Sequence, residues 1–324
     1  MAGITLRTVH CNGIALRVAE AGVRGPLVLL VHGWPEGWYC WRHQLLALAA
    51  AGYRAVAPDM RGYGGSDAPA GAEHYDVVTL TNDLTGLLDA LGEPRAVLVG
   101  HDWGAIIAWQ AMLLAPQRFS ALMAMSVPYG GRPSRSPMAL WREQYGDNFY
   151  YILYHNEPGG VAEAEYDADP RGLLSRLYLS PNSPRQPKQI TDPKASAGGW
   201  IGRLGAATAL PDWLTQADLD YMVDEFTRSG FAGGINYYRN FDRNWQLTAA
   251  VGDNTIKAPV QFIAGSDDMV IAHTDAEQLQ RAMSRIASDF RGVTLLPGIG
   301  HWLQQEAPEQ TNRLLLDFLA ALAA

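Results

Sequence analysis

Cysteine is nearly missing from this chain. Its 324 residues include only Cys11 and Cys40, too few for a disulfide framework, so both are expected as reduced, packed thiols of a cytoplasmic protein. Positive charge is also short: 25 Lys and Arg against 33 Asp and Glu leave a formal net charge of −8. That balance gives no reason to expect nucleic acid or an anionic membrane surface as a partner. No apolar run approaches the length of a membrane span. The chain also opens without the apolar stretch of a secretory signal; Ile4-Thr5-Leu6-Arg7-Thr8-Val9 alternates like a strand instead. A His-Glu-x-x-His run and a P-loop are both absent, and with them two common signatures of metal and nucleotide sites. No internal repeat is present, and no sustained heptad seam imposes an assembly, which leaves a homodimer open. What remains, 48% apolar and 18% charged residues, is the composition of a soluble globular protein, either one large α/β domain or a domain with an insertion.

The order of elements is more informative. Strands are predicted at Ile4–Val9 and Ile14–Ala19, joined by an Asn12-Gly13 turn. Continuous apolar runs at Pro26–Val31, Arg54–Ala57 and Ala96–Val99 suit strands buried on both faces. Helical patterns at Trp41–Ala50, Val77–Leu91 and Ala105–Leu114 separate them, and a strand at Ala121–Val127 closes the first half. Such alternation implies a mostly parallel sheet covered on both faces. After Pro128 the rhythm breaks. Residues 129–250 are rich in Trp, Tyr, Pro and Gly, with helices expected at Leu140–Tyr154 and Gln216–Ser229 and a long surface loop at Pro181–Gly202. Strands return at Val260–Ala264 and Val293–Leu296, followed by a helix that starts near Pro308 and presents Leu314, Leu315, Phe318 and Leu322 to the core. The expected domains are therefore a core at 1–128 and 251–324, interrupted by a helical insertion at 129–250.

The stretch Gly100-His101-Asp102-Trp103-Gly104 lies where a strand turns sharply into a helix. Small residues on both sides of one functional side chain are the layout of a nucleophile elbow, but the usual serine is missing and Asp102 stands there. A carboxylate at this point can displace a leaving group from saturated carbon. An Asp at a strand end is commonly just a helix cap, yet a cap needs no glycine on each side. Two more polar residues follow strand ends: Asp268, in Gly265-Ser266-Asp267-Asp268-Met269-Val270, and His301, in Gly298-Ile299-Gly300-His301-Trp302. A lone histidine after a strand is more often a surface residue than a base. The order nucleophile, acid, histidine reverses that judgement here, because reactive groups gather outside the carboxyl ends of a parallel sheet. Spacing alone leaves Asp267 and Asp268 as alternatives for the acid.

These blocks together make the sequence similar to the epoxide hydrolases of the α/β-hydrolase fold, the group with an aspartate nucleophile and a helical cap. His32-Gly33-Trp34-Pro35-Glu36 resembles the family's oxyanion motif, and Asp59-Met60-Arg61-Gly62-Tyr63-Gly64-Gly65-Ser66-Asp67 a second family block. The Asp102 block matches residue for residue, and the family's acid pattern falls on Asp268. The resemblance extends over nearly the whole chain, cap included. It implies two cap tyrosines that hold the epoxide oxygen. One is Tyr151, ahead of Glu157-Pro158-Gly159, with Tyr150 and Tyr154 as neighbouring alternatives. The other is Tyr238, in Asn236-Tyr237-Tyr238-Arg239-Asn240, where Tyr237 is assigned to packing.

The chemistry implied is attack by Asp102 on an epoxide carbon, with Tyr151 and Tyr238 donating to the opening oxygen. The resulting ester is hydrolysed by water that a neutral His301, oriented by Asp268, deprotonates. Backbone N–H groups of Trp34 and Trp103 form the oxyanion hole, in an apolar pocket to which Met269 also contributes. The partners are an epoxide and water, the product is a vicinal diol, and no metal or organic cofactor is required. The alternative is a haloalkane or haloacid dehalogenase with the same aspartate. Many haloalkane dehalogenases carry Asn in place of Trp34, and fluoroacetate-type enzymes an arginine in place of Trp103. A hydrolase-fold protein that binds ligand without catalysis is the remaining reading, and the intact Asp-His-Asp set argues against it.

Overall fold

The eight strands of the computed structural model, which describes residues 3–252 and 254–323, form one sheet. They are β1 (Thr5–Cys11), β2 (Ile14–Ala21), β3 (Leu27–Val31), β4 (Arg54–Pro58), β5 (Ala96–His101), β6 (Phe119–Met125), β7 (Val260–Gly265) and β8 (Phe290–Leu296). Their spatial order is β1-β2-β4-β3-β5-β6-β7-β8. The β1–β2 hairpin turns at Asn12 (φ 47°) and Gly13 (φ 76°), two left-handed residues that match the twist of the strands they join. β2 pairs antiparallel with both neighbours, and every pair from β4–β3 to β7–β8 is parallel. This is the expected α/β arrangement.

Strand β3 is buried at every position, and its pleat deals alternate side chains to two cores. Leu29 and Val31 join Leu98 of β5 on one face, with Leu84 and Leu87 of α2 (Val77–Leu91) and Ile107 and Ala108 of α3 (Trp103–Leu114). Val28 and Leu30 join Val97 and Val99 on the other. There they meet Leu45 and Leu48 of α1 (Arg42–Ala50) and Leu315, Phe318 and Leu319 of the helix at Pro308–Ala323. Helices on both faces are what remove alternation from these strands and leave solid apolar runs. The C-terminal helix differs slightly from expectation: Leu319 is fully enclosed, whereas Leu314 and Leu322 are only partly buried.

Between β6 and β7 the described residues contain no strand of the sheet. The predicted helix Leu140–Tyr154 is two helices, Pro137–Tyr145 and Tyr151–His155. Ser136 caps the first, Pro137 occupies its first turn, and Gly146 (φ 55°) ends it, a start and stop chemistry that the run of aromatics obscures. Short helices at Val161–Ala168, Pro170–Leu177, Ala232–Arg239 and Phe241–Leu247 went unpredicted, each too brief to show a helical period. Gln216–Ser229 is helical as expected, with a capping box from Thr215 and Asp218. The segment 181–202 is exposed for most of its length.

Candidate active site

The turn from β5 to α3 puts Asp102 at φ 53°, ψ −119°, a strained conformation for a residue with a Cβ. Its carbonyl accepts from the N–H groups of Ala105 and Ile106, while its carboxylate makes no capping bond. The side chain is thereby freed from the helix it precedes. The flanking glycines have a steric cause. A Cβ on Gly104 would lie 1.9 Å from the Val31 carbonyl oxygen, and one on Gly100 2.3 Å from that of Gly104. Helix α3 and the end of β3 therefore meet backbone to backbone, which brings the Trp34 loop over Asp102. The Trp34 N–H donates to Asp102 Oδ1 at 2.9 Å. Trp103 opens α3, so its N–H has no carbonyl partner earlier in the helix.

Asp268 and His301 come in from the loops after β7 and β8. His301 Nδ1 lies 3.0 Å from both Asp268 oxygens, and His301 Nε2 is 3.6 Å from Asp102 Oδ2. The side chains of Asp102 and His301 retain 14% and 15% exposure, whereas that of Asp268 has none; the first two can be reached by a small molecule and the third cannot. The alternative acid, Asp267, is exposed and accepts from Ser266 Oγ. Burial alone would raise the Asp102 carboxyl, but the hydrogen bond and charge of His301, His101 and the Trp34 N–H hold it below the usual range. Asp268 is lowered against burial in the same way, chiefly by His301. For His301 burial favours the neutral ring, and the two carboxylates outweigh it, raising the imidazole well above its ordinary value. In the resting site the two carboxylates therefore favour the imidazolium over the neutral ring.

Tyr151 and Tyr238 approach from the helical segment. Tyr238 is buried, its ring edge-on to Trp103 at 5.1 Å and to Tyr151 at 5.9 Å. Tyr151 stacks on Trp200 at 4.7 Å, and Trp200 stacks on Trp34 at 5.7 Å. Burial first, and then neighbouring charge that includes Asp102, raises both phenols well above their ordinary value, so each remains a proton donor at neutral pH. The alternatives face elsewhere. Tyr150 stacks on Tyr145 at 4.0 Å, Tyr154 reaches the Val161 carbonyl, and Tyr237 donates to the Arg61 carbonyl at 2.9 Å. Helix Ala232–Arg239 can bring Tyr238 down on the core because Gly233 touches Gly62; a Cβ there would be 2.4 Å from the Gly62 oxygen.

One expectation fails. Met269 is 81% exposed, on the solvent side of the loop whose Asp268 turns inward to His301. Two features went unread in the sequence. His101 places Nδ1 2.8 Å from Glu36 and Nε2 2.8 Å from the His301 carbonyl, while Glu36 also accepts from the Gly33 N–H and from Gln304. This buried link fastens the Trp34 loop to the His301 loop, and its one signal was a glutamate and a histidine inside apolar motifs. His155 is the other: it is enclosed, 4.4 Å from the Tyr238 ring, and burial pushes its pKa down to about 3. Among the described residues no group of three or more His, Cys, Asp and Glu side chains is placed to hold a metal ion.

The α/β hydrolase fold family model matches residues 26–308 of this chain. Epoxide hydrolase A of Mycobacterium tuberculosis is 47% identical over 99% of both chains. The chain belongs to the α/β-hydrolase-fold epoxide hydrolases. Solved structures agree with the sequence relatives. This epoxide hydrolase superposes on epoxide hydrolase A from Mycobacterium thermoresistibile with a TM-score of 0.87, at 47% identity over 98% of each chain. For the enzyme from an endophytic Streptomyces the TM-score is 0.91, at 40% identity over 100% of this chain and 97% of that one. No helix among the described residues is long and apolar enough to cross a membrane.

Proposed function

We propose that this epoxide hydrolase converts an epoxide to a vicinal diol through a covalent ester on Asp102. The observation that carries the reading is an ionised aspartate, not a serine, between the Trp34 N–H and His301, under two protonated tyrosines. Oδ1, already held by the Trp34 N–H, becomes the ester carbonyl oxygen, and the other oxygen attacks a ring carbon. The carbon–oxygen bond of the ring breaks, and Tyr151 and Tyr238 stabilise and protonate the alkoxide. Esterification then removes one of the two carboxylates that hold His301 as a cation. Its pKa falls, its proton passes to the tyrosinate left by ring opening and restores the phenol, and the neutral ring becomes a base when a base is needed. Water loses a proton to His301 Nε2 and attacks the ester carbonyl carbon. The tetrahedral oxyanion rests on the N–H groups of Trp34 and Trp103; on its collapse the bond to the substrate oxygen breaks, the remaining proton of the added water passes to that oxygen, and the diol leaves with Asp102 restored as a carboxylate.

Residues 129–250 act in this reading as a cap over a core of 1–128 and 251–324, which is supported by the descent of Tyr151 and Tyr238 from two of its helices. The free, buried state of Cys11 and Cys40 favours work in a reducing cytoplasm. Assembly as a homodimer is tested by sedimentation, where twice the chain mass supports it and the single chain mass overturns it. The function itself is tested by offering styrene oxide, stilbene oxide and alkyl epoxides beside haloalkanes and fluoroacetate, with diol and halide followed together. Diol formation that Asp102→Ala abolishes is the expected result; halide release without diol would make the protein a dehalogenase.

A further inference from the structure

Strand β6 lies between β5, which carries Asp102, and β7, which carries Asp268. Its chain leaves the sheet through Ser126, a fully buried residue at φ 68°. That left-handed conformation is natural for glycine and costly for serine. The serine hydroxyl has a use there. Its O–H donates to the His301 carbonyl oxygen at 3.1 Å and shares that one proton with the neighbouring Asp268 carboxylate, which it helps to keep ionised, while the Ser126 N–H is held by the Ile263 carbonyl at 3.0 Å. One side chain therefore touches both members of the acid–base pair and neither Asp102 nor the tyrosines.

We propose that Ser126 is a positioning residue for the hydrolytic half of the reaction, bridging the His301 main chain and the Asp268 carboxylate so that the pair keeps its alignment when Asp102 is esterified. The inference rests on the ester mechanism above. Its hydroxyl also takes up part of the Asp268 charge that His301 would otherwise face alone. The other groups facing His301 are Asp102 from the β5 turn, the His101 ring at 4.8 Å and Glu306 behind the loop, and none of them changes on removal of the Ser126 hydroxyl. Without it Asp268 favours the cationic ring more strongly, and the base is available only at higher pH.

The test is transient kinetics with styrene oxide on wild type, Ser126→Gly and Ser126→Ala across pH, with ester formation and ester hydrolysis timed separately. Glycine suits φ 68°, so S126G is expected to keep or raise the melting temperature, and S126A gives a second reading that does not depend on the turn. Ester formation should stay within about twofold in both variants. Hydrolysis should slow by about tenfold, with its acid limb moved up by roughly half a unit to one unit, the effect of one hydrogen bond lost from a carboxylate. Unchanged hydrolysis and an unmoved limb would overturn the proposal. So would equal slowing of both halves with an unmoved limb, which is the mark of a merely structural residue. A wild type that forms no ester at all would instead overturn the mechanism on which the proposal rests.

Discussion

The two halves of this active site are built by opposite physical means. The sheet contributes ions: Asp102, Asp268 and His301 sit at strand ends, each fixed by hydrogen bonds to a charged or main-chain partner. The helical segment contributes neutral donors, Tyr151 and Tyr238, held by the packing of rings on Trp200, Trp34 and Trp103. Even its buried histidine, His155, is kept uncharged and has no hydrogen-bond partner for Nδ1 among the described residues. Ions need rigid, preorganised dipoles around them. Phenols that must donate only when a ring opens need an apolar setting, which keeps their protons on. In the proposed mechanism the sheet side performs the covalent steps and the helical side gates the first of them.

The sharpest break in that comparison is on the sheet side. Asp102→Ala should reduce turnover by roughly 10⁴-fold or more, whereas His301→Gln should still form the ester and then stall. A mass increase of one substrate on His301→Gln, and none on Asp102→Ala, checks both; steady turnover by His301→Gln would remove it as the base. On the helical side the loss should be smaller and should fall on the other step. Tyr238→Phe and Tyr151→Phe should each slow ester formation by about 10²-fold and leave hydrolysis of a preformed ester unchanged. An equal slowing of hydrolysis in rapid-quench experiments would erase the proposed division of labour.

Two glycines extend the comparison to stability. Gly104→Ala drives a Cβ into the Val31 carbonyl of the sheet, and Gly233→Ala drives one into Gly62 beneath the Tyr238 helix. About 3 kcal/mol of destabilisation is expected for the first, and somewhat less for the second, whose short helix can shift. Urea unfolding measures both, and Gly233→Ala should also lose ester formation as Tyr238 is displaced. The effect that is smallest near neutral concerns pH. His155 has a folded pKa of about 3 against an ordinary 6.5, so above 6.5 it is neutral in both states and contributes no slope. As pH falls from 6.5 toward 3 the unfolded chain takes a proton that the folded chain refuses, and stability drops by about 1.4 kcal/mol per unit. His155→Phe should flatten that slope; an unchanged acid midpoint would show that water reaches the ring.

Much of the fold could be read from local pattern, because a strand buried on both faces has to be a solid apolar run and a tight hairpin has to have residues that accept positive φ. Asn12-Gly13, Pro26–Val31 and the Gly-flanked Asp102 are of this kind. The helical segment was less legible. Most of its helices run for only five to nine residues between boundaries such as Gly146, Gly160 and Asp169, too short for a period to establish itself, and Trp and Tyr serve equally as packing and as chemistry. Sequence alone determined the residue types of the chemistry: an aspartate where a serine would sit, an acid and a histidine in order after later strands, and tyrosines in two blocks. Tertiary structure decided which of the alternatives face the reaction. It turned Asp268 in and Asp267 and Met269 out, packed Tyr151 against Trp200 and Tyr238 while Tyr150 stacks on Tyr145, and set His301 between two carboxylates. Such choices depend on side-chain direction and on charges from distant parts of the chain, and neither is a local property of the residues that carry them.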